Sequence, residues 1–296
     1  MAANIISGNE VAKTIRAELK EEVAKMKTGG VTPGLVVILV GEDAASQVYV
    51  RKKGEACEEL GILSETVRRP VDTAEAEVLA LIDKYNADPR FDGILVQLPL
   101  PKQISEEKVL MRIDPSKDVD GFHPVNVGKM VVGSDAYLPC TPAGIQELLV
   151  RSGNDPKGKH VVILGRSNIV GKPIANILVQ KAPGADATVT ICHSRTKDLP
   201  ALSRQADILI AAMGVPKFVK ADMVKDGVVI IDVGVNRIDD PSTKSGTRLV
   251  GDVDFEAVKE KASAITPVPG GVGPMTITML MRNTIRAAKV HHDWKG

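Results

Sequence analysis

Residues 161–173 read VVILGRSNIVGKP, an apolar run that ends at Gly165, followed by a short turn with a second glycine, Gly171. A strand, a glycine turn and a helix start in this order are typical of the phosphate-binding turn of dinucleotide folds. The full G-x-G-x-x-G fingerprint needs glycines at two further positions, where the chain has Ser167 and Val170. This degenerate motif alone leaves two alternatives open, a nucleotide site and an ordinary turn of another α/β protein.

Short apolar runs alternate with helical patterns on both sides of this stretch, which indicates parallel α/β folding. GLVVILV at 34–40 and GILVQ at 93–97 read as buried strands, and a turn-rich segment at 114–139 separates them from a second strand–helix series. The sequence therefore predicts an α/β fold with two α/β domains around a cleft, the second of them Rossmann-like. We expect a first domain at 1–140, a Rossmann-like domain at 141–274 and a C-terminal helix at 275–296 that returns to the first.

Composition excludes several classes of protein. The net charge is +1 and aromatic residues make up only 3%, which argues against binding of nucleic acid. The apolar runs are too short to span a bilayer, and the N-terminus has no secretory pattern, so we expect no membrane partner. The three cysteines and five histidines lack the spacing of a disulfide framework or a metal site. We therefore expect no metal, and a cytoplasmic protein.

The segment after the strand that follows the glycine turn indicates which dinucleotide would bind. NAD sites usually place Asp or Glu there, where its carboxylate bonds the ribose 2′-hydroxyl. This chain instead has His193, Ser194, Arg195 and Thr196, and Arg166 lies in the glycine turn. Because this corner is cationic and rich in hydroxyls, it favours a 2′-phosphate, and hence NADP.

A second group of candidate residues lies in the first domain. Tyr49 and Lys53 are four residues apart on a predicted helix and so share a face. A desolvated lysine is a candidate base, although a solvated surface lysine is the alternative. Gln97, at a strand end, suits a bond to a lysine or a substrate carbonyl, or a backbone cap. Asp118 and Asp120 read as metal ligands, as an acid/base pair or as turn caps.

VPGGVGPMT at 268–276 concentrates glycine and proline before the last predicted helix. Glycines permit close approach of the backbone to a flat ligand, and the alternative is a rigid linker. The two interpretations are compatible.

Taken together, these segments resemble the bifunctional methylenetetrahydrofolate dehydrogenase/methenyltetrahydrofolate cyclohydrolase family (FolD family). The resemblance rests on YVRKK, DGILVQLPLP, KDVDGFHPVNVG with PCTPAG, and GRSNIVGKP followed by PVPGGVGPMT, and it covers nearly the whole chain. It implies that NADP⁺ oxidises 5,10-methylenetetrahydrofolate to the methenyl cation, which water then opens to 10-formyltetrahydrofolate. It also implies a homodimer.

The resemblance also implies roles for individual residues. Lys53 would handle protons, Gln97 would bond and tune it, Tyr49 would stack on the folate, and Asp120 would hold the aminopyrimidine edge. The implied folate contacts also include Leu98, Pro99, Pro269, Gly270 and Gly271. The implied NADP contacts are Gly165, Arg166, Ser167, Val170, Gly171, His193, Ser194, Arg195, Thr196 and Val235.

Two rival interpretations fit the sequence less well. Tyr49 and Lys53 match the Y-x-x-x-K of short-chain dehydrogenases, but there the glycine turn precedes the Tyr–Lys helix, and here the order is reversed. A nonenzymatic NADP-binding protein would have no reason to retain every matched polar residue. QKAPGADATVTIC is longer than expected before the second nucleotide strand, so the division of roles between Ser194 and Arg195, and tolerance of NAD, stay open.

Overall fold

The computed structural model describes residues 3–243 and 246–295. The elements are, in chain order, β1 (Asn4–Ile5), α1 (Gly8–Thr28), β2 (Gly34–Val40), α2 (Ala44–Leu60), β3 (Leu63–Arg69), α3 (Glu75–Asn86), β4 (Gly93–Val96), α4 (Glu106–Arg112), α5 (Pro124–Val131), α6 (Cys140–Arg151), β5 (His160–Leu164), α7 (Gly171–Leu178), β6 (Thr188–Cys192), α8 (Leu199–Ser203), β7 (Ile208–Ala211), a 3₁₀ turn (Ala221–Met223), β8 (Val229–Asp232), β9 (Asn236–Asp239), β10 (Thr247–Val250), α9 (Phe255–Val258), β11 (Ala264–Ile265) and α10 (Val272–His291).

The chain divides into two compact units. Unit A comprises Thr14–Cys140 and Ile277–Gly296, and unit B comprises Met1–Lys13 and Thr141–Thr276. The N-terminal segment differs from the domains expected from the sequence, because it belongs to unit B. There β1 adds to the sheet by pairing in parallel with β11, a long-range contact that no local pattern encodes.

Unit A is built on a three-stranded parallel sheet in the order β3-β2-β4. All seven residues of the central strand β2 are buried, as expected for a parallel strand covered on both faces. Asp43 caps the start of helix α2, where its carboxylate accepts a hydrogen bond from Ser46 N at 2.8 Å. Gly61 caps the end of the helix in a left-handed conformation with a φ of 75°.

The last helix closes unit A. From Ile277 onward α10 belongs to this unit, and Asn283 Nδ2 donates to the carbonyls of Val119 at 2.8 Å and Leu138 at 3.0 Å. Cys57 Sγ of α2 lies 3.5 Å from Met281 Sδ. The predicted return of the C-terminal helix to the first domain is thus confirmed.

Unit B contains a six-stranded parallel sheet in the order β1-β11-β8-β7-β5-β6. Strand β5 lies between β6 and β7. The chain therefore adds β6 on one side of β5 and then crosses back to add β7 on the other side. Such a reversal creates a crevice beyond the carboxyl ends of the strands, where α/β proteins bind ligands. The predicted Rossmann-like fold is confirmed. The antiparallel pair β9–β10 was not predicted from the sequence. In the described ranges, no helix is long and apolar enough to cross a membrane.

Candidate active site

The buried amine of Lys53 is the centre of the candidate site in unit A. Helix α2 places this side chain inward, with 8% of the residue exposed. Its Nζ donates a hydrogen bond to Gln97 Oε1 at 2.9 Å. Gln97 follows β4 directly, and its backbone N–H bonds Ile38 O at 2.9 Å, which extends the ladder to β2. Of the sequence-derived candidates, Lys53 and Gln97 are therefore brought into direct contact.

A further bond fixes the orientation of the Gln97 amide. Its Nε2 donates to the carbonyl of Leu98 at 2.7 Å. Because only the nitrogen end of the amide can donate, the oxygen end must face Lys53. An amide oxygen accepts a hydrogen bond from a neutral amine or an ammonium, so it holds Nζ in place in either protonation state.

Burial governs the charge of Lys53. Desolvation lowers the pKa of its amine, and the attraction of Asp120 acts in the opposite direction. The net shift is downward, so the neutral amine is more populated near neutral pH than that of a surface lysine. The alternative of a solvated surface lysine does not describe this side chain.

Asp118 and Asp120 have different surroundings. Asp118 is 1% exposed, and its carboxylate accepts bonds from Phe122 N, His123 N and Asn126 Nδ2. It thus acts as a turn cap, and desolvation raises its pKa to about 6. Asp120 retains some exposed surface, yet atoms crowd around its carboxyl group. This desolvation raises its pKa, while Lys53 acts to lower it.

Tyr49 lies one helical turn before Lys53 and keeps 36% of its surface exposed. A partly exposed aromatic ring of this kind can stack on a flat ligand. The Leu98–Pro99 peptide after Gln97 is cis. The carbonyl of Leu98 also accepts a long bond, 3.5 Å, from Ser46 Oγ. The predicted folate contacts of unit A therefore lie around α2 and the end of β4.

The glycine turn of unit B fits a dinucleotide phosphate. Gly165 follows β5 with a φ of 129°, and a Cβ there would lie 2.2 Å from the Ala212 carbonyl oxygen. A Cβ on Gly171 would lie 2.2 Å from Gly165 O, so the start of α7 packs directly on the turn. Ser167 Oγ accepts bonds from Val170 N at 3.1 Å and Gly171 N at 3.4 Å. The turn is thus shaped by close backbone packing, and Arg166 is exposed on it.

The predicted 2′-phosphate corner is a tight turn after β6. Thr196 Oγ1 accepts from His193 N at 2.9 Å, and His193 Nδ1 accepts from Arg195 N at 3.1 Å. Ser194 and Arg195 are exposed at the tip. Because β6 neighbours β5, this turn lies at the same sheet edge as the glycine turn. The residues present fit NADP at its adenosine end.

The remaining predicted residues also lie in unit B. Pro269, Gly270 and Gly271 precede α10, and Gly270 O accepts a bond from Asn9 N at 3.2 Å. Val235 lies between β8 and β9 with 52% of its surface exposed.

Sequence reasoning overlooked two buried acids of unit B, Asp232 and Asp252, which are 3% and 0% exposed. Glycines near both of them were the available signal. Among the residues that the structure describes, no cluster of His, Cys, Asp and Glu side chains could hold a metal ion.

The switch-point crevice of unit B defines a dinucleotide-binding α/β protein. Unit A of the same chain contains the buried amine of Lys53. The chain belongs to the tetrahydrofolate dehydrogenase/cyclohydrolase family. The family model of the catalytic domain matches residues 6–120, and that of the NAD(P)-binding domain matches residues 139–292. The family and the bifunctional dehydrogenase/cyclohydrolase predicted from the sequence are thereby confirmed.

Curated relatives match over almost their full length. A bifunctional protein FolD of Syntrophobacter fumaroxidans is 62% identical over 294 residues, which cover 99% of this chain and 99% of the relative. A second, from Dehalococcoides mccartyi, is 62% identical over 291 residues, with 98% of each chain covered.

Solved structures agree. The bifunctional FolD methylenetetrahydrofolate dehydrogenase/cyclohydrolase from Campylobacter jejuni is 49% identical with a TM-score of 0.92, and the match covers 98% of this chain and 99% of that one. The Trypanosoma brucei enzyme, complexed with NADP cofactor and inhibitor, is 39% identical with a TM-score of 0.93 and full coverage of both chains.

Proposed function

We propose that the protein uses NADP⁺ to oxidise 5,10-methylenetetrahydrofolate to 5,10-methenyltetrahydrofolate, and then hydrolyses this product to 10-formyltetrahydrofolate, with Lys53 as the proton-handling residue. The observation that carries this assignment is the buried Lys53 amine held at 2.9 Å by Gln97 Oε1. A base that works near neutral pH is what the hydrolytic step requires.

The oxidation needs orientation rather than a base. A hydrogen leaves the methylene carbon with its electron pair, and the positive charge left behind is shared by N5 and N10 of the folate. NADP⁺, when bound, supplies the acceptor of this hydride. Because no proton moves in the step, the protein's contribution is to align the two carbon centres and exclude water.

The hydrolysis uses the neutral form of Lys53. Its amine takes a proton from a water molecule while the water oxygen bonds to the methenyl carbon. The hydroxyl group of this adduct then gives its proton to N5 as the bond between the carbon and N5 breaks, and the carbon–oxygen double bond of the formyl group forms on N10. Gln97 Oε1 holds the amine before and after it gains the proton, because the amide accepts a bond from both forms.

Two other residues of unit A orient the folate. The aminopyrimidine edge of the pterin presents adjacent N–H donors, which suit the two oxygens of the Asp120 carboxylate. Tyr49 stacks on the flat part of the ligand. Leu98, Pro99 and the segment Pro269, Gly270 and Gly271 complete the proposed folate contacts.

The adenosine end of NADP is held by the turns after β5 and β6. Arg166 and Arg195, both exposed at this edge, supply cations for the 2′-phosphate. Gly165, Ser167, Val170, Gly171, His193, Ser194, Thr196 and Val235 are the other proposed contacts. On this basis NADP⁺ is preferred over NAD⁺.

Three finer assignments belong to the same proposal. The protein is a homodimer, is cytoplasmic, and supplies a formyl donor to purine biosynthesis. The three free, buried cysteines support the second, and the first and third rest on the family. Analytical ultracentrifugation of the purified protein tests the dimer, and a monomer at micromolar concentration would contradict it.

One assay tests the proposed function. The protein is mixed with methylenetetrahydrofolate and NADP⁺, and NADPH, the methenyl intermediate and the 10-formyl product are followed separately. We expect NADPH and 10-formyltetrahydrofolate to accumulate together. Synthetic methenyltetrahydrofolate, supplied without a nucleotide, isolates the hydrolysis. If neither product exceeds the enzyme-free control, the proposed function is wrong.

A further inference from the structure

Two buried carboxylates of unit B, Asp232 and Asp252, take no part in the proposed chemistry. Asp232 ends β8, and Asp252 lies two residues after β10. Together they accept six hydrogen bonds, all from neutral donors. Desolvation raises the pKa of Asp232 to about 6. Burying two acids side by side is costly, so their contacts call for an explanation.

Asp252 ties two loops together. Its Oδ2 accepts from Met213 N at 2.6 Å and Gly214 N at 2.9 Å, in the loop that follows β7. Its Oδ1 accepts from Asn236 Nδ2 at 2.8 Å, in the segment that follows β8. Since β7 and β8 are parallel neighbours, both loops lie at the carboxyl edge of the sheet, the edge that carries the glycine turn.

Asp232 in turn holds Asp252. Its Oδ1 accepts from the backbone N–H of Asp252 at 2.9 Å and from Gly234 N at 3.0 Å. A Cβ on Gly234 would lie 2.2 Å from Asp252 Oδ1, so only glycine admits this approach. Val235, an exposed candidate cofactor contact, is therefore fixed on both sides, through Gly234 by Asp232 and through Asn236 by Asp252.

The position of the loops after β7 and β8 indicates which half of the cofactor they contact. In a dinucleotide fold the ligand crosses the switch point, with its adenosine ribose beside the second strand, here β6. Strands β7 and β8 lie on the other side of β5. The loops held by Asp252 therefore face the nicotinamide half of the ligand.

We propose that Asp252, itself held by Asp232, is a positioning residue that presents the loops after β7 and β8 to the nicotinamide half of NADP. This inference rests on the proposed use of NADP. It predicts that loss of Asp252 weakens contacts with the nicotinamide half alone, whereas the adenosine half, bound through the turns after β5 and β6, is unaffected.

The test compares two ligands by isothermal titration calorimetry on the full chain. The variant Asp252→Ala removes the acceptor of the Met213 and Gly214 N–H groups and so releases their loop, and we expect the Kd for NADP⁺ to rise about tenfold or more. The Kd for 2′,5′-ADP, which lacks the nicotinamide half, should stay within about twofold of the parent's. Asp207→Ala is the matched control: this carboxylate accepts from His160 N at 2.8 Å at the amino end of the same sheet, and both affinities should be unchanged.

A conservative variant separates positioning from bulk destabilisation. In Asp252→Asn the amide oxygen can accept from Met213 and Gly214, and its NH₂ can donate to a reoriented Asn236, so affinity for NADP⁺ should be largely restored. Unchanged NADP⁺ binding in Asp252→Ala, or equal weakening of both ligands, would overturn the inference. Should Asp252→Ala not fold, Asn236→Ala removes one side of the tie and must show the same selective loss.

Failure of the proposed function gives a different result. If the parent chain does not bind NADP⁺ at all, the proposed cofactor is wrong. If the parent binds NADP⁺ and the Asp252→Ala variant binds it equally well, only the role of Asp252 is wrong.

Discussion

Lys53 Nζ donates to Gln97 Oε1 across 2.9 Å, and this bond joins helix α2 to the carboxyl end of β4. The two residues are 44 positions apart in the sequence. Because the Gln97 amide is itself fixed on the Leu98 carbonyl, the amine is held by a group that neither gains nor loses a proton at physiological pH. Lys53, whose pKa is lowered by burial, and the uncharged amide of Gln97 together form the proposed proton-transfer pair.

A charge placed at position 97 should change the pH profile of the hydrolysis. In Gln97→Glu a carboxylate replaces the amide and favours the ammonium form of Lys53, which raises the pKa of the amine. The neutral base is then populated only at higher pH. We expect the rise of the cyclohydrolase rate with pH to move to higher pH, measured on methenyltetrahydrofolate over a series of buffers.

The control for this shift is Gln103→Glu. The Gln103 side chain bonds the backbone carbonyls of Val71 and Thr73, away from Lys53. Its profile should overlay that of the parent. An unmoved profile in Gln97→Glu, with the hydrolase active, would show that Lys53 is not the titrating base.

The preference for NADP⁺ should depend on Arg195. A hydrogen bond to a charged group contributes about 1.5–3 kcal/mol, so Arg195→Ala should lower kcat/KM for NADP⁺ about tenfold or more. The value for NAD⁺, which has no 2′-phosphate, should change little. Lys197→Ala, an exposed cation two residues further on, serves as the control. Equal losses with both cofactors would remove Arg195 from the 2′-phosphate site.

Much of the fold and of the candidate site can be predicted from the sequence. Buried parallel strands are continuous apolar runs, and ligands bind at their carboxyl ends. That reasoning placed Gln97 and the turn at Gly165 correctly at the carboxyl ends of their strands. It left Lys53 undecided, since a helical lysine looks the same in sequence whether water or protein surrounds it. Its 8% exposure came only from the structure.

Other features depend on contacts between distant segments. The pairing of β1 with β11 joins Asn4 to Ala264, and no local pattern specifies it. Asp252 accepts bonds from two loops, at Gly214 and Asn236, and its role is defined by those partners rather than by its own neighbours in the chain. Such residues become visible only when the strands are ordered.

The free energy of unfolding of unit A should depend on pH through the carboxyl group of Asp118. Its pKa is raised from 3.8 to about 6 by desolvation, so its favourable contribution is complete below about pH 3.8 and is lost as the pH rises through about 6. Asp118→Asn removes this dependence. Because one pKa unit corresponds to about 1.4 kcal/mol, the free energy of unfolding of the variant relative to the parent should increase by about 3 kcal/mol from about pH 3.5 to about pH 7.

Urea denaturation at several pH values measures this difference. Asp83→Asn provides a control of opposite sign, because the Arg112 hydrogen bond lowers the pKa of Asp83. The stabilisation contributed by Asp83 is present above its unfolded pKa and is lost as the pH falls. A pH-independent difference for Asp118→Asn would show that its carboxyl group titrates normally in the folded protein.

The most direct test of the central claim is the ratio of the two activities in Lys53→Gln. General-base catalysis contributes about 10²–10⁴-fold, so hydrolysis of methenyltetrahydrofolate should fall by about 100-fold or more. The dehydrogenase, whose hydride step needs no base, should fall far less. Lys52→Gln, an exposed neighbour on α2, should leave both rates intact. A Lys53→Gln variant that hydrolyses the methenyl substrate at the parent's rate would contradict the account.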